Sequence, residues 1–350
     1  MTTRRNFIRA SALGAAAIAA SPAATVMAAT TATTVNKEAF KPLRISMLSY
    51  SFHGLVKAGM MDIFHFFESC KYRYGLDAAD LWNGMFVSTE DDFIDKVYSA
   101  LEDRQLVVPN IAVDGAHIMH AGDDSPAELR AKQDRYMQIA KRLGVGFVRF
   151  DAGPYMLNGR KDADGWTNEE FDFIVKRYKD LAQFAYDNGF KVGAENHWGP
   201  EAYWKHMEKL IEAVDHPGFA ICMHFGGWRG TAQENLAAEK AAAKYVAHTH
   251  IPWDTCEDPD LPKRLGVLRD AEYGGYYSVE QHSGQNEYNL VEAQLGKVTA
   301  VLTSWNRGGD GQLYPPKERD PNKRVPWENT FHIIQTNRAV LIIRQPGWFI

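Results

Sequence analysis

From Arg44 to about residue 303 the chain alternates two kinds of segment. Short runs rich in apolar, β-branched and aromatic residues fall at Arg44–Tyr50, Leu76–Trp82, Leu106–Val113, Gly146–Asp151, Lys191–Asn196, Phe219–His224, Tyr245–Ile251 and Gly275–Glu280. Runs of this kind predict parallel strands covered on both faces. Amphipathic stretches with helix-start signals lie between them. Ser125-Pro126-Ala127-Glu128, Thr167-Asn168-Glu169-Glu170 and Thr231-Ala232-Gln233-Glu234 predict capping boxes, the first with proline at the opening helical position. Ser88-Thr89-Glu90-Asp91 is a weaker version with Asp in place of Glu. Eight strands alternating with helices predict an α/β fold, a (β/α)8 TIM barrel formed as a single domain over residues 43–305. An open doubly wound sheet would carry a Gly-rich phosphate turn after its first strand, and Ser51-Phe52-His53-Gly54 fits no such pattern. Residues 306–350 form a C-terminal extension: Trp305–Arg324 reads as loop, and Thr330–Ile350 is apolar enough to pack as an added helix or strand.

The N-terminus departs from this alternation. Thr3-Arg4-Arg5-Asn6-Phe7-Ile8-Arg9 reads as a twin-arginine export signal, followed by an Ala-rich apolar stretch from Ala10 to Ala20. Val26-Met27-Ala28 offers small residues at a cleavage position, so residues 1–28 read as a signal peptide and 29–42 as a polar lead-in. The expected location is the periplasm. The twin-arginine route carries folded proteins, which suits an enzyme that takes up its metal before export.

The formal charge is −5, and removing Arg4, Arg5 and Arg9 with the signal takes it to −8. That acidity argues against nucleic acid or an anionic membrane as partner. No apolar run reaches the roughly 18 residues of a membrane span. Cys70, Cys222 and Cys256 include no C-x-x-C pair, so neither a disulfide framework nor a zinc knuckle is expected; Cys222, inside an apolar run, reads as a buried thiol.

The chemistry lies at the ends of the last four runs. Glu195, His224, His250 and Glu280 follow one another at intervals of 29, 26 and 30 residues, about the length of one strand with its return helix. Side chains at the C-terminal ends of parallel barrel strands converge on one mouth. Two carboxylates and two imidazoles there predict a site for one divalent metal ion: Mn, Co, Fe, Ni or Zn rather than Mg. Side-chain alternation puts Glu195 and His197 on one face, and His248 and His250 on another, with His250 nearer the mouth. His248 reads as a hydrogen-bonded core histidine. The glycines of Phe225-Gly226-Gly227-Trp228 would allow close approach of a ligand to the backbone. Asp80, Asp114, His117, Arg149 and Asp151 end the second to fourth runs, and His53 follows the first; all are candidates for substrate contact. Tyr50, Trp82, Trp198, Trp228 and Trp253 are candidates for stacking on a sugar face.

These strand-end residues resemble the xylose isomerase-like barrel superfamily, often described as sugar phosphate isomerase/epimerase. Gly193-Ala-Glu195-Asn196-His197 resembles its fifth-strand motif, His248-Thr-His250-Ile-Pro-Trp-Asp254 its seventh, and Gly274-Gly275-Tyr276-Tyr-Ser-Val-Glu280 its eighth. Pro217 through Gly226 is similar to the sixth-strand segment, with His224 where the family usually has Asp. The resemblance implies a ligand set of Glu195, His224, His250 and Glu280. It also implies a metal-dependent carbohydrate isomerase or epimerase acting by proton abstraction next to a carbonyl, with a metal-stabilised enediolate. Glu195 and Glu280 would move the protons, with His197 as a further catalytic candidate. The site would take a small carbohydrate, with His53, Asp80, His117, Arg149, Asp151, Trp198 and Trp253 contacting it. Export argues against a sugar phosphate. The alternatives are a 3-keto-glycoside lyase or hydratase on the same metal site and a non-enzymatic sugar-binding barrel. Charge and export disfavour the superfamily's DNA-repair branch. Homo-oligomerisation is left open.

Overall fold

The computed structural model describes residues 43–119, 126–153 and 161–312, together with the backbone of 332–336 and 339–343. The export segment, the lead-in, Ser125 and most of the loop after Trp305 lie outside the described residues. The strands are β1 (Ile45–Met47), β2 (Leu81–Trp82), β3 (Asn110–Val113), β4 (Phe147–Phe150), β5 (Lys191–Gly193), β6 (Ile221–His224), β7 (Val246–Pro252) and β8 (Tyr277–Glu280). The helices are α1 (His53–Lys57), α2 (Ile63–Glu68), α3 (Asp91–Arg104), α4 (Pro126–Leu143), α5 (Asn168–Asp187), α6 (Trp204–Val214), α7 (Ala232–Ala242), α8 (Trp253–Glu257), α9 (Leu261–Asp270) and α10 (Glu287–Asn306).

Two parallel sheets, β1-β8-β7-β6 and β2-β3-β4-β5, make the wall. Isolated bridges join them into a closed cylinder: Leu48 to Asp80 on one side, Val192 to Phe219 and Glu195 to Cys222 on the other. Closure leaves no open sheet edge. The main apolar core lies between this wall and the helices. Helix α5 shows how the pattern places it. Phe171, Ile174, Tyr178, Leu181, Ala182 and Ala185 recur at helical spacing and are all buried. The Tyr178 hydroxyl donates to the Phe150 carbonyl at 2.7 Å, fixing α5 to the end of β4.

The expected boxes at Thr167–Glu170 and Thr231–Glu234 form, each with reciprocal bonds. Ser88 does not cap α3. The cap is Glu90, and Ser88 Oγ only accepts from the Glu90 amide at 3.1 Å, making a turn before the helix. The first two strands are shorter than their apolar runs. After Met47 the chain coils into a 3-10 turn at Ser49–Phe52, and hydroxyls take the place of ladder partners. Ser49 Oγ accepts from the Trp82 amide at 2.7 Å and Ser51 Oγ from the Gln281 amide at 3.0 Å. The second run divides between neighbours, with Ala78 bridging Val107 and Asp80 bridging Leu48. In the extension, His332–Thr336 (β9) pairs antiparallel with Ala339–Ile343 (β10).

Candidate functional site

The barrel interior holds a stack of polar groups. At the lower level Asp80, fully buried, lies 2.6 Å from His248 Nε2 and accepts from Ser278 Oγ at 2.6 Å and Asn110 Nδ2 at 2.8 Å. Burial opposes its ionisation, but the imidazoles of His248 and His250 hold its carboxyl well below the usual range. Asp80 is thus a structural hub and does not face the cleft described below, contrary to its expected role in substrate binding.

One level up, Arg149 is clasped by three carboxylates. Its Nε is 3.0 Å from Glu195, Nη1 2.9 Å from Asp151 and Nη2 2.9 Å from Asp114. Asp114 also accepts from Trp82 Nε1 at 2.6 Å. Arg149 borders the cleft and is ion-paired with three of the protein's own carboxylates, although its Nε makes no aligned hydrogen bond.

Above Arg149 the four strand-end groups form an unbroken run. His250 Nδ1 is 2.6 Å from Glu195 Oε1 and 3.9 Å from Glu280 Oε2, and Glu280 Oε2 is 3.3 Å from His224 Nε2. The run is not one compact cluster. Among the described residues, donor atoms mutually within 4.8 Å form four groups: Asp80–His248–His250, Glu195–Cys222–His250, Asp151–Glu195–His197 and His224–Glu280–His282. His282 Nε2 lies 3.1 Å from the other Glu280 oxygen. His197, His224 and His282 form a row of near-parallel rings, with successive centroids 6.0 Å apart and tilts of 7° and 6°. His197 Nδ1 is 3.6 Å from Glu195 Oε2 and 3.8 Å from Asp151 Oδ1. Buried Glu195 Oε2, Glu280 Oε2, His197 Nδ1, His224 Nδ1, His250 Nε2 and Asp151 Oδ1 make no aligned hydrogen bond, which fits a site awaiting a further group.

Local chain geometry sets this up. Asn196 faces away from the interior and clamps β6: its Nδ2 donates to the His224 carbonyl at 2.9 Å and its Oδ1 accepts from the His224 amide at 2.7 Å. Gly226 sits at φ +77°, and a Cβ on Gly227 would come within 2.3 Å of the Asn196 carbonyl. Those glycines therefore serve the turn and its packing on β5, not a ligand.

Electrostatics follow from the same contacts. Burial raises Glu195 and Glu280, yet both are held below the ordinary range, Glu195 by His197, His250 and Arg149, Glu280 by His250, His224 and His282. Burial pushes His250 down, but Cys222, Glu195, Glu280 and Asp80 raise it well above the usual value. Burial pushes His197 down to about 3, against the pull of Glu195. Burial lifts Asp151 to about 7 against the pull of Arg149, with repulsion from Glu195 and Asp114 adding to the rise. Glu201 rises well above its usual value through burial and the nearby Asp151, while its Oε2 accepts from the Ala152 amide at 2.6 Å.

The cleft over this stack has a volume of about 1030 Å³. His224, Glu280, His282, His197, His117, Arg149, Asp151, Tyr50, Trp82 and Trp198 border it. Glu195 and His250, 1% and 0% exposed, lie beneath its surface. His53 is turned away, stacked on Tyr50 at 4.5 Å with its Nδ1 3.0 Å from the Tyr50 carbonyl. Trp253 opens α8 and Trp228 is buried against Trp204; neither borders the cleft. Sequence reasoning missed His282 and Glu201. His282 had a signal, since it stands two residues after Glu280 as His197 does after Glu195. Glu201 had none: it lies in the loop beyond β5, and its environment is made by β4. A second cleft of about 750 Å³ shares His224 and His282 with the first.

A family model described as xylose isomerase-like TIM barrel matches residues 71–297. A sequence search of curated proteins finds no match. Solved structures of the same fold include 3-keto-D-glucoside 4-epimerase YcjR from E. coli, at 14% identity and TM-score 0.58 over 76% of this chain and 100% of that one. The probable 3-DHS dehydratase AsbF from Bacillus anthracis aligns at 14% identity and TM-score 0.56 over 73% and 99%. The IolI protein, solved with a bound zinc atom, aligns at 14% identity and TM-score 0.57 over 75% and 99%. At these identities the likeness is one of fold.

Proposed function

The chain belongs to the xylose isomerase-like TIM barrel family, and from that premise we propose that it is a metal-dependent carbohydrate isomerase or epimerase. The reaction would remove a proton from a carbon next to a carbonyl. The observation that supports this most is the run Glu195–His250–Glu280–His224 under an aromatic-walled cleft. Its mix of carboxylate and imidazole suits Mn, Fe, Co, Ni or Zn better than Mg. A divalent ion drawn into that run would supply positive charge opposite an oxygen that becomes anionic as the proton leaves.

The chain's own groups divide the remaining work. Glu280 reaches the cleft surface and takes a proton from one face of the substrate carbon. Glu195 lies deeper, bound to Arg149 and His250, so the opposite face falls to His197, whose Nδ1 has Glu195 and Asp151 behind it. Trp198, half exposed, and Trp82 offer rings on which a sugar stacks. A second reading uses the same groups for elimination from a 3-keto-glycoside. It is favoured by His117 Nδ1, 3.8 Å from the Asp151 oxygen opposite the one facing His197, a placement suited to protonating a leaving group.

Incubation in deuterated water separates the readings. An isomerase or epimerase incorporates deuterium next to the carbonyl of a free sugar. A lyase releases the aglycone of a 3-keto-glucoside and leaves an ultraviolet-absorbing keto-sugar. Sugar binding with neither outcome, across ketoses, aldoses and 3-keto-glycosides, would leave a binding protein.

We also propose export to the periplasm by the twin-arginine route, supported by Thr3–Arg9. Changing Arg4 and Arg5 together to Lys is expected to trap precursor in the cytoplasm. Undiminished periplasmic accumulation contradicts the proposal.

A further inference from the structure

We propose that the substrate has two units: a reacting sugar in the cleft over the strand-end run, and a second, uncharged, hydroxyl-rich unit in the neighbouring cleft, bound there by Gln233 and Asp254. The substrate class is then a disaccharide or other glycoside rather than a free monosaccharide. This rests on the reading that the site moves a proton on a sugar, and it extends that reading to what the sugar is joined to.

The two clefts have volumes of about 1030 and 750 Å³. Small-molecule sites span about 300–1,000 Å³, so each cleft is large enough for a ligand unit of its own. His224 and His282 border both. His282 is about half exposed, and Glu280 lies between the two imidazoles, 3.3 Å from His224 Nε2 and 3.1 Å from His282 Nε2. A ligand that fills both clefts therefore crosses these rings. The bond joining its two units then lies beside the carboxylate that reaches the cleft surface.

The chemistry of the two clefts differs. Tyr50, Trp82 and Trp198 border the first, whereas no Trp or Tyr borders the second. The cations of the second cleft are committed. Arg264 is held by the buried carboxylate of Glu239 and lies 3.6 Å from Asp258, and Lys263 is 3.5 Å from Asp260. Asn235 is committed too, donating to the Gly226 and Trp228 carbonyls at 3.0 and 2.7 Å. Gln233, in the first turn of α7, and Asp254, in the first turn of α8, are exposed and border this cleft. Among the described residues neither side chain has a hydrogen-bond or ion-pair partner. A carboxylate without a cation repels an anionic unit and accepts from hydroxyls, and an amide both donates and accepts. That pair suits a neutral sugar and disfavours a phosphate or a carboxylate there.

The test is calorimetry on the intact protein with methyl glucoside, maltose and cellobiose, each as the parent sugar and in its 3-keto form, with unfolding midpoints recorded. At least one disaccharide form is expected to bind at least about tenfold more tightly than the matching methyl glucoside, the gain from two or more added hydrogen bonds. The double variant Gln233→Ala, Asp254→Ala is expected to remove that advantage; both residues are exposed, so the unfolding midpoint is expected to stay in place. Equal affinity for methyl glucoside and the disaccharides, whether tight or absent, overturns the subsite, as does an advantage that survives the double change. A disaccharide preference without deuterium uptake or elimination leaves the subsite standing and removes the proton-abstraction reading. Equal affinity with deuterium uptake by a free sugar does the reverse.

Discussion

Asp80 and Glu280 are both buried carboxylates inside one barrel, each beside histidines, yet they are held in opposite ways. Asp80 has every oxygen matched: His248, Ser278 and Asn110 contact it at 2.6–2.8 Å. Glu280 stands at the cleft, and its Oε2 makes no aligned hydrogen bond. The same contrast runs along single strands. His248 meets Asp80 through Nε2, while His250, two residues on, touches Asp80 with one nitrogen and joins the run of strand-end groups with the other. Asp80 is closed to solvent and is matched by its neighbours; Glu280 and His224 border a cleft that a ligand or an ion can complete. What separates the two carboxylates is the cleft: Asp80 has both oxygens matched inside the wall, and Glu280 borders open space with one oxygen unmatched.

The sharpest way to break this comparison is to empty the lower hub. Asp80→Ala leaves His248, Ser278 and Asn110 without their acceptor, and is expected to cost about 3–5 kcal/mol of stability, the range for breaking a buried ion pair. Urea unfolding checks it, and a loss under about 1 kcal/mol would mean the hub is dispensable. Glu280→Gln keeps shape and polarity, so stability is expected to change by no more than about 1–2 kcal/mol. Turnover, once a substrate is found, is expected to fall at least about 10²-fold. A Glu280→Gln protein that unfolds as readily as Asp80→Ala would erase the distinction between the two carboxylates. The smallest effect belongs to the rim. Trp198→Ala, 51% exposed in the native protein, is expected to shift stability by no more than about 0.5 kcal/mol. It should weaken sugar binding by about 1 kcal/mol, roughly fivefold, if the ring stacks on substrate. Unaltered sugar affinity in calorimetry would put Trp198 outside the binding surface.

Much of the barrel was legible because each strand has its own local signal: a short apolar run, then a cap. The eight strand positions, and the boxes at Thr167 and Thr231, need no knowledge of the rest of the chain. The first, second, third and fifth strands were read too long; in the first, an apolar run does not reveal where serine hydroxyls at 49 and 51 take amide donors from neighbouring strands. In the site, alternation placed Glu195 with His197 and His248 with His250, but the same rule was not carried past Glu280 to His282. His53 and Trp253 were assigned to the cleft from nearness in sequence to a strand end; His53 stacks on Tyr50, and neither borders the cleft.

By itself, the sequence determined the order of strands and helices, the face each side chain takes on its strand, and the intervals that bring Glu195, His224, His250 and Glu280 to one end of the barrel. Tertiary structure decided depth and partnership. Asp80 meets His248 across 168 residues, and Arg149 on β4 reaches Asp114 and Glu195 at the ends of the neighbouring strands. A period of two residues fixes which way a side chain points. How far it lies from water, and what charge it meets, depends on how the eight strands are staggered around the barrel. That stagger is a property of the closed wall rather than of any one strand.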